Sequence, residues 1–135
     1  MIKKRFPADD KVLLEVLALV ENELNKVDCP MKTVMGITVC VEEIFVNIAH
    51  YAYPFGEGDM TLEANIDNGE LSLVFVDSGI PFDPLAKEDP DITLPAEERD
   101  IGGLGILMVK KVMDTVNYER RDGKNILSMT KRIGA

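Results

Sequence analysis

Histidine occurs once in this chain and cysteine twice, and Cys29 and Cys40 stand eleven residues apart with no CxxC pair. That scarcity excludes an obvious zinc site and leaves two isolated thiols, as expected of a reduced cytoplasmic protein. Positive charge is also short: 15 basic residues against 24 acidic ones give a net charge of −9. Nucleic acid and anionic membrane both demand local positive charge, so neither is expected as a direct partner. No run of about eighteen apolar residues exists, which predicts no membrane span. The opening Met1-Ile2-Lys3-Lys4-Arg5-Phe6-Pro7 is basic but lacks the apolar stretch of a secretory leader. There is no internal repeat.

What remains is a globular composition, 46% hydrophobic and 29% charged over 135 residues. A chain of this length is expected to form one domain, 1–135, burying roughly two thirds of its unfolded surface without disulfides or metals.

The patterning predicts a helix capped by Asp9 or Asp10 and running to about Asn25, with Val12, Leu13, Val16, Leu19, Val20 and Leu24 on its apolar stripe. Cys29-Pro30 interrupts it. A second helix spans about Met31 to Tyr51, with Pro54, Gly56 and Gly58 ending it. From Met60 to Asp67 apolar and polar residues alternate, the mark of a half-buried strand. Asn68-Gly69 then forms a two-residue turn, and Leu71, Leu73 and Phe75 share one face of a return strand ending at Asp77-Ser78-Gly79. A second hairpin joins Val116–Arg121 to Lys124–Arg132 through Asp122-Gly123, after a helix that follows Gly102-Gly103-Leu104-Gly105 and reaches about Thr115. Between the hairpins lies Pro81 to Ile101, with four prolines and seven acidic residues. So long a stretch without regular structure is generally a functional lid or disordered. The order helix, helix, hairpin, lid, helix, hairpin indicates a two-layer α+β sandwich.

Three constellations carry chemistry. In the second helix, Glu43 and Asn47 lie one turn apart on an edge away from the apolar stripe of Val34, Ile37, Val41, Ile44 and Ile48. Two such side chains can hold a metal ion and a water together, and the same spacing also suits the polar rim of an amphipathic helix. His50 suits a hydrogen-bonded residue near a helix end. At Asp77-Ser78-Gly79 a strand ends in a pure acceptor followed by a glycine that admits close backbone approach, which suits reading an exocyclic amine such as adenine's, or a plain turn. Ile101-Gly102-Gly103-Leu104-Gly105-Ile106 leads glycines into a helix, where exposed amides and the dipole favour phosphate; a hinge and cap is the other reading. It is neither a dinucleotide fingerprint nor a P-loop, for lack of GxGxxG spacing and of a following Gly-Lys-Ser/Thr.

The three taken in order resemble the Bergerat-fold (GHKL) ATP-binding superfamily of gyrase, heat-shock chaperones, histidine kinases and mismatch-repair ATPases. Within it, Asp77-Ser-Gly-Ile-Pro-Phe-Asp-Pro84, with Pro81 where the wider superfamily usually has a second glycine, looks like the bacterial anti-sigma factor serine/threonine kinases. The chain length, the NIAHYAY run and GGLGILMVKKVMD are similar too, so the likeness covers essentially the whole chain. It implies an α+β sandwich whose mostly antiparallel, mixed sheet is covered on one face by helices. It implies ATP/ADP and Mg²⁺ as ligands, with Asn47 coordinating the metal and Glu43 as the general base that activates a partner's hydroxyl. Asp77 would accept from the adenine amino group, with Gly79 allowing close approach and the Thr130 hydroxyl assisting. Gly102, Gly103, Leu104 and Gly105 would wrap the phosphates under the lid at about 81–101, and Arg99 would approach the terminal phosphate. The implied partners are a sigma factor and an anti-anti-sigma (STAS-domain) protein, with a homodimer formed through the first helix and the N-terminal strand. Two other readings stay open: a nucleotide-gated binding module without appreciable kinase activity, and a detached histidine-kinase ATPase domain, which Pro81 and the lack of an acceptor domain disfavour.

Overall fold

The computed structural model describes residues 1–86 and 103–133. Strand β1 (Ile2–Pro7) leads through a short 3-10 turn (Asp10–Val12) into helix α1 (Leu13–Asn25), then helix α2 (Met31–Tyr51). Strands β2 (Asp59–Asp67) and β3 (Glu70–Asp77) form the first hairpin. A 3-10 turn (Pro84–Ala86), helix α3 (Gly103–Val112) and the hairpin β4 (Thr115–Arg121) and β5 (Lys124–Arg132) complete the chain.

The five strands form one sheet in the order β1-β2-β3-β5-β4, with every neighbouring pair antiparallel. The expected α+β architecture is therefore present, and the sheet, anticipated as mostly antiparallel, is antiparallel at every pairing. Two differences matter. The element order read from the patterning has no strand before the first helix, whereas β1, the N-terminal strand that the resemblance implies, pairs with β2 and places Phe6 opposite Met60. Its three basic residues in succession hide the alternation, yet Phe6 is 1% exposed. Helix α3 starts at Gly103, so Gly103 to Gly105 fall in its first turn, and it stops at Val112. Asp114 there gives its backbone N–H to Thr130 and accepts from the Arg132 N–H, so the chain has already joined the sheet.

Both hairpin turns have positive φ at both central positions, Asn68 and Gly69 (51° and 76°) and Asp122 and Gly123 (53° and 75°). These turns match the right-handed twist of the strands they join, and short polar residues or glycine tolerate the backbone. The first turn of the chain is also locally set, since the Asp9 side chain accepts from the Lys11 N–H.

The core lies between the helices and one face of the sheet. Val16, Leu19, Val20 and Leu24 of α1 and Val34, Ile37, Cys40, Val41, Ile44 and Phe45 of α2 are buried there. They meet Leu62 and Ala64 of β2, Leu71, Leu73 and Phe75 of β3, and Leu127 and Met129 of β5. Helix α2 has the length and mean hydropathy (1.3) of a candidate membrane span. Its buried stripe faces this core and Glu42 and Glu43 stand in its middle, so the apolar character serves packing.

Candidate functional site

Two polar side chains are buried among the described residues, Asp77 and Asn125, each 5% exposed. They face each other because β3 and β5 pair in the register Asp77↔Asn125, Phe75↔Leu127, Leu73↔Met129. Alternation then puts Asp77 and Asn125 on the core face, at the end of the apolar rows. Here the helices no longer cover the sheet fully, and a cleft of about 420 Å³, counting its open mouth, lies between α2 and the sheet. Its walls are Ile44, Asn47 and Ile48 from α2, Phe75 and Asp77 from β3, Tyr118 from β4, Asn125 and Leu127 from β5, and Phe82 and Pro84 from the loop after β3.

The loop after β3 is pinned on every side. Ser78 N–H donates to the Tyr53 hydroxyl (2.9 Å), which itself donates to the Asp59 carbonyl (2.6 Å). Burial is the largest cause that pushes the Tyr53 hydroxyl pKa above its ordinary value. Gly79 N–H donates to Asp77 Oδ1 (2.9 Å), Arg120 donates to the Gly79 carbonyl (2.8 Å), and Ile80 N–H donates to the Ala52 carbonyl (2.9 Å). Gly79 is obligatory at this point, because a Cβ there would lie 2.2 Å from the Ala52 carbonyl oxygen, and backbone cannot step aside. Beyond it, Phe82 stacks on Tyr51 at 6.0 Å between centroids.

On the other wall, Glu43 and Asn47 come together as expected. Asn47 Nδ2 donates to Glu43 Oε1 at 3.3 Å, and among the described residues no donor reaches the Asn47 carbonyl oxygen. Glu43 also abuts the first turn of α3. A Cβ on Gly105 would lie 2.1 Å from Glu43 Cδ, so only glycine leaves the carboxylate where it is. Among the described residues no cluster of three His, Cys, Asp or Glu exists that would cage a metal. A hard oxygen from Asn47 next to a phosphate chain still fits Mg²⁺, which usually takes few protein ligands and keeps waters and phosphate oxygens.

The sequence-based site is thus partly assembled. Glu43 and Asn47 stand together, Asn47 and Asp77 line one cleft, Gly79 packs against the Ala52 carbonyl, and Gly105 lies against Glu43. Gly103 and Leu104 open α3. Arg99, Gly102 and the lid from residue 87 onward lie outside the described residues. His50 pairs with Asp10 (2.7 Å), tying the end of α2 to the turn before α1.

Thr130 is a correction. It pairs with Ser72 across β3 and its hydroxyl bonds to Thr115 (2.6 Å), on the opposite side chain parity from Asn125, Leu127 and Met129. Five residues along a strand is about 17 Å, so its hydroxyl cannot assist Asp77, even through a water. The group that does touch Asp77 is Asn125, whose Nδ2 donates to Asp77 Oδ1 at 2.9 Å. The signal was available: in Asn125-Ile126-Leu127-Ser128-Met129 the asparagine shares the inward parity of Leu127 and Met129.

A family model described as "Histidine kinase-like ATPase domain" matches residues 6–131. The chain is 30% identical over 95 residues to the serine/threonine-protein kinase BtrW of Bordetella bronchiseptica, covering 70% of this chain and 67% of the relative. It is 22% identical over 134 residues to an anti-sigma F factor of Clostridium acetobutylicum, covering 92% and 94%. Its fold is similar to a crystal structure of the RsbU and RsbW domains of a Mycobacterium tuberculosis protein, with TM-score 0.65 and 13% identity. That match covers 98% of this chain and 33% of the larger protein.

Proposed function

The chain belongs to the histidine kinase-like ATPase domain family, and from that premise we propose that it is an ATP-dependent serine/threonine protein kinase acting as an anti-sigma regulatory factor. It binds a sigma factor and phosphorylates an anti-anti-sigma (STAS-domain) protein, working as a cytoplasmic homodimer. The observation that carries the reading is the cleft itself. Asn47, hydrogen-bonded to Glu43, faces it from α2, and Asp77 faces it from the sheet, in a chain similar to proteins named kinase and anti-sigma factor.

In this reading the adenine amino group donates to the Asp77 oxygen that no protein donor occupies, and Gly79 lets backbone come near the base. Asn47 would hold Mg²⁺ through its carbonyl oxygen, because its amide nitrogen is engaged by Glu43. When bound, the metal neutralises phosphate charge. Glu43 takes the proton of the attacking serine or threonine hydroxyl as that oxygen bonds to the γ-phosphorus; the β–γ bridging oxygen leaves with ADP. Gly103, Leu104 and Gly105 offer backbone amides to the phosphates at the start of α3, joined in that role by Gly102, and Arg99 supplies the cation at the terminal phosphate.

Transfer of labelled phosphate from ATP to a STAS-domain partner tests the proposal. Glu43→Ala should lower transfer at least about 100-fold, the usual contribution of a general base, with ATP affinity within about threefold of the parent. Unchanged transfer in Glu43→Ala would leave the nucleotide-gated binding module as the reading.

A further inference from the structure

Asn125 is held by more contacts than any other side chain around the cleft. Its Nδ2 donates to Asp77 Oδ1 (2.9 Å) and to the Ile80 carbonyl (2.8 Å). Its Oδ1 accepts from the Tyr118 hydroxyl, from Arg120 Nη1 (3.2 Å) and from the Phe82 N–H (3.4 Å). The amide cannot be turned round. A guanidinium and a backbone N–H only donate, so the atom facing Arg120 and Phe82 must be the oxygen, and the NH₂ must face Asp77. Both of its hydrogens are then used.

The consequence falls on Asp77. Its Oδ1 receives two donors, Gly79 N–H and Asn125 Nδ2. Among the described residues no hydrogen bond reaches its Oδ2 and no buried polar side-chain atom lacks a partner, so Oδ2 is not sealed off, in a residue that lines the cleft. With Asn125 saturated, the polar pair offers a ligand one acceptor and no donor. An amino-bearing ring edge satisfies that acceptor, whereas an oxo-bearing edge sets oxygen against oxygen in a poorly hydrated site, leaving both unpaired.

We propose that Asn125, clamped by Tyr118 and Arg120, is the positioning residue that fixes the hydrogen-bond polarity of this pocket and makes it select a 6-amino purine over a 6-oxo purine. The proposal deepens the ATP reading and rests on it. Asn125 acts through Asp77 and touches no reacting atom.

The experiment compares binding of ATP and ITP, two nucleotides differing at the 6-position, to the full chain and to Asn125→Asp, Asn125→Leu and Tyr118→Phe across pH 5.5 to 8.5. The unmodified chain should favour ATP with an affinity ratio that hardly changes with pH. Asn125→Asp places a second carboxylate on Asp77, and like charges at contact raise the pKa of one of them. Only the protonated form of the new carboxyl can donate to Asp77, so ATP affinity should rise at least tenfold as pH falls. A merely structural asparagine would give no such slope. Asn125→Leu should lose at least tenfold of the ATP-over-ITP preference. Should it fail to fold, Tyr118→Phe, which removes one donor at the edge of the cleft, should still reduce the preference by about threefold. If the unmodified chain binds neither nucleotide, the ATP reading itself falls. If it binds ATP while all three variants keep its preference and Asn125→Asp has a flat pH profile, the positioning role alone is overturned.

Discussion

At the sheet end of the cleft, six backbone groups between Ser78 and Phe82 are bonded to five anchors, Tyr53, Asp77, Ala52, Arg120 and Asn125, the last of which holds two of them. At the helix end, the one hydrogen bond of the Glu43 and Asn47 side chains among the described residues is to each other. The two ends do different jobs. A surface that recognises a rigid base gains by being fixed beforehand, because no ordering cost is then left to meet on binding. A surface that meets phosphates, a metal and an incoming hydroxyl must change partners during turnover, and side chains held only by one another can do so.

The two glycines at these ends break or sharpen that contrast most directly. Gly79→Ala drives a Cβ into the Ala52 carbonyl and should destabilise the fold by about 3 kcal/mol, lowering Tm by roughly 10 °C and weakening ATP binding. Gly105→Ala meets the end of a flexible side chain instead. Calorimetry should find its Tm within a few degrees of the parent, while phosphate transfer falls because Glu43 is displaced. Equal melting losses in the two variants would show the helix end to be as rigid as the sheet end.

Asp77→Asn should come next. ATP at about 100 times its dissociation constant adds roughly 2.7 kcal/mol of stability, and a thermal melt should lose that increment entirely in the variant. Asn47→Ala should remove only the Mg²⁺-dependent part. Tyr53→Phe deletes one hydroxyl that joins Ser78 to Asp59, a cost of about 1 kcal/mol readable as a small shift in the urea midpoint.

The smallest effect concerns Cys40, a core residue whose thiol pKa burial pushes up to about 11. The folded state therefore favours the neutral thiol, a contribution fully present below the ordinary thiol pKa and lost as pH climbs towards 11. Stability between pH 8 and 10.5 should fall more steeply in the parent than in Cys40→Ala, measured by denaturant unfolding.

Much of the fold was legible because local chemistry and pattern agreed. Pro30 and the stripe from Val34 to Ile44 predict α2 with its observed bounds, and Asn68-Gly69 and Asp122-Gly123 predict both turns. What escaped depended on pairing. β1 exists because β2 offers it an edge, and Lys3, Lys4 and Arg5 in a row mask its period. The end of α3 at Val112 is set by β5, which draws Asp114 into the sheet. In the site, Glu43, Asn47 and Asp77 carry recognisable spacing. Asn125 carries none, and its role appears only once a register 48 residues long is closed. Thr130 was named through the resemblance, as a last-strand hydroxyl assisting Asp77, but strand parity turns it away.

The Asp122-Gly123 turn has one more implication, and it concerns length instead of chemistry. The β3–β5 register is held by the core rows Leu73–Met129 and Phe75–Leu127, so an inserted turn residue would leave Asp77 opposite Asn125 and slide only β4. Arg120, now across from Asn125, would then give way to Glu119 or Arg121. Glu119 would set an acceptor against the asparagine oxygen, whereas Arg121 would keep a cation there but carry Tyr118 out of place. A two-residue connection at the far rim of the sheet therefore works as a ruler for the pocket, and an insertion that leaves every site residue intact would still misaddress them.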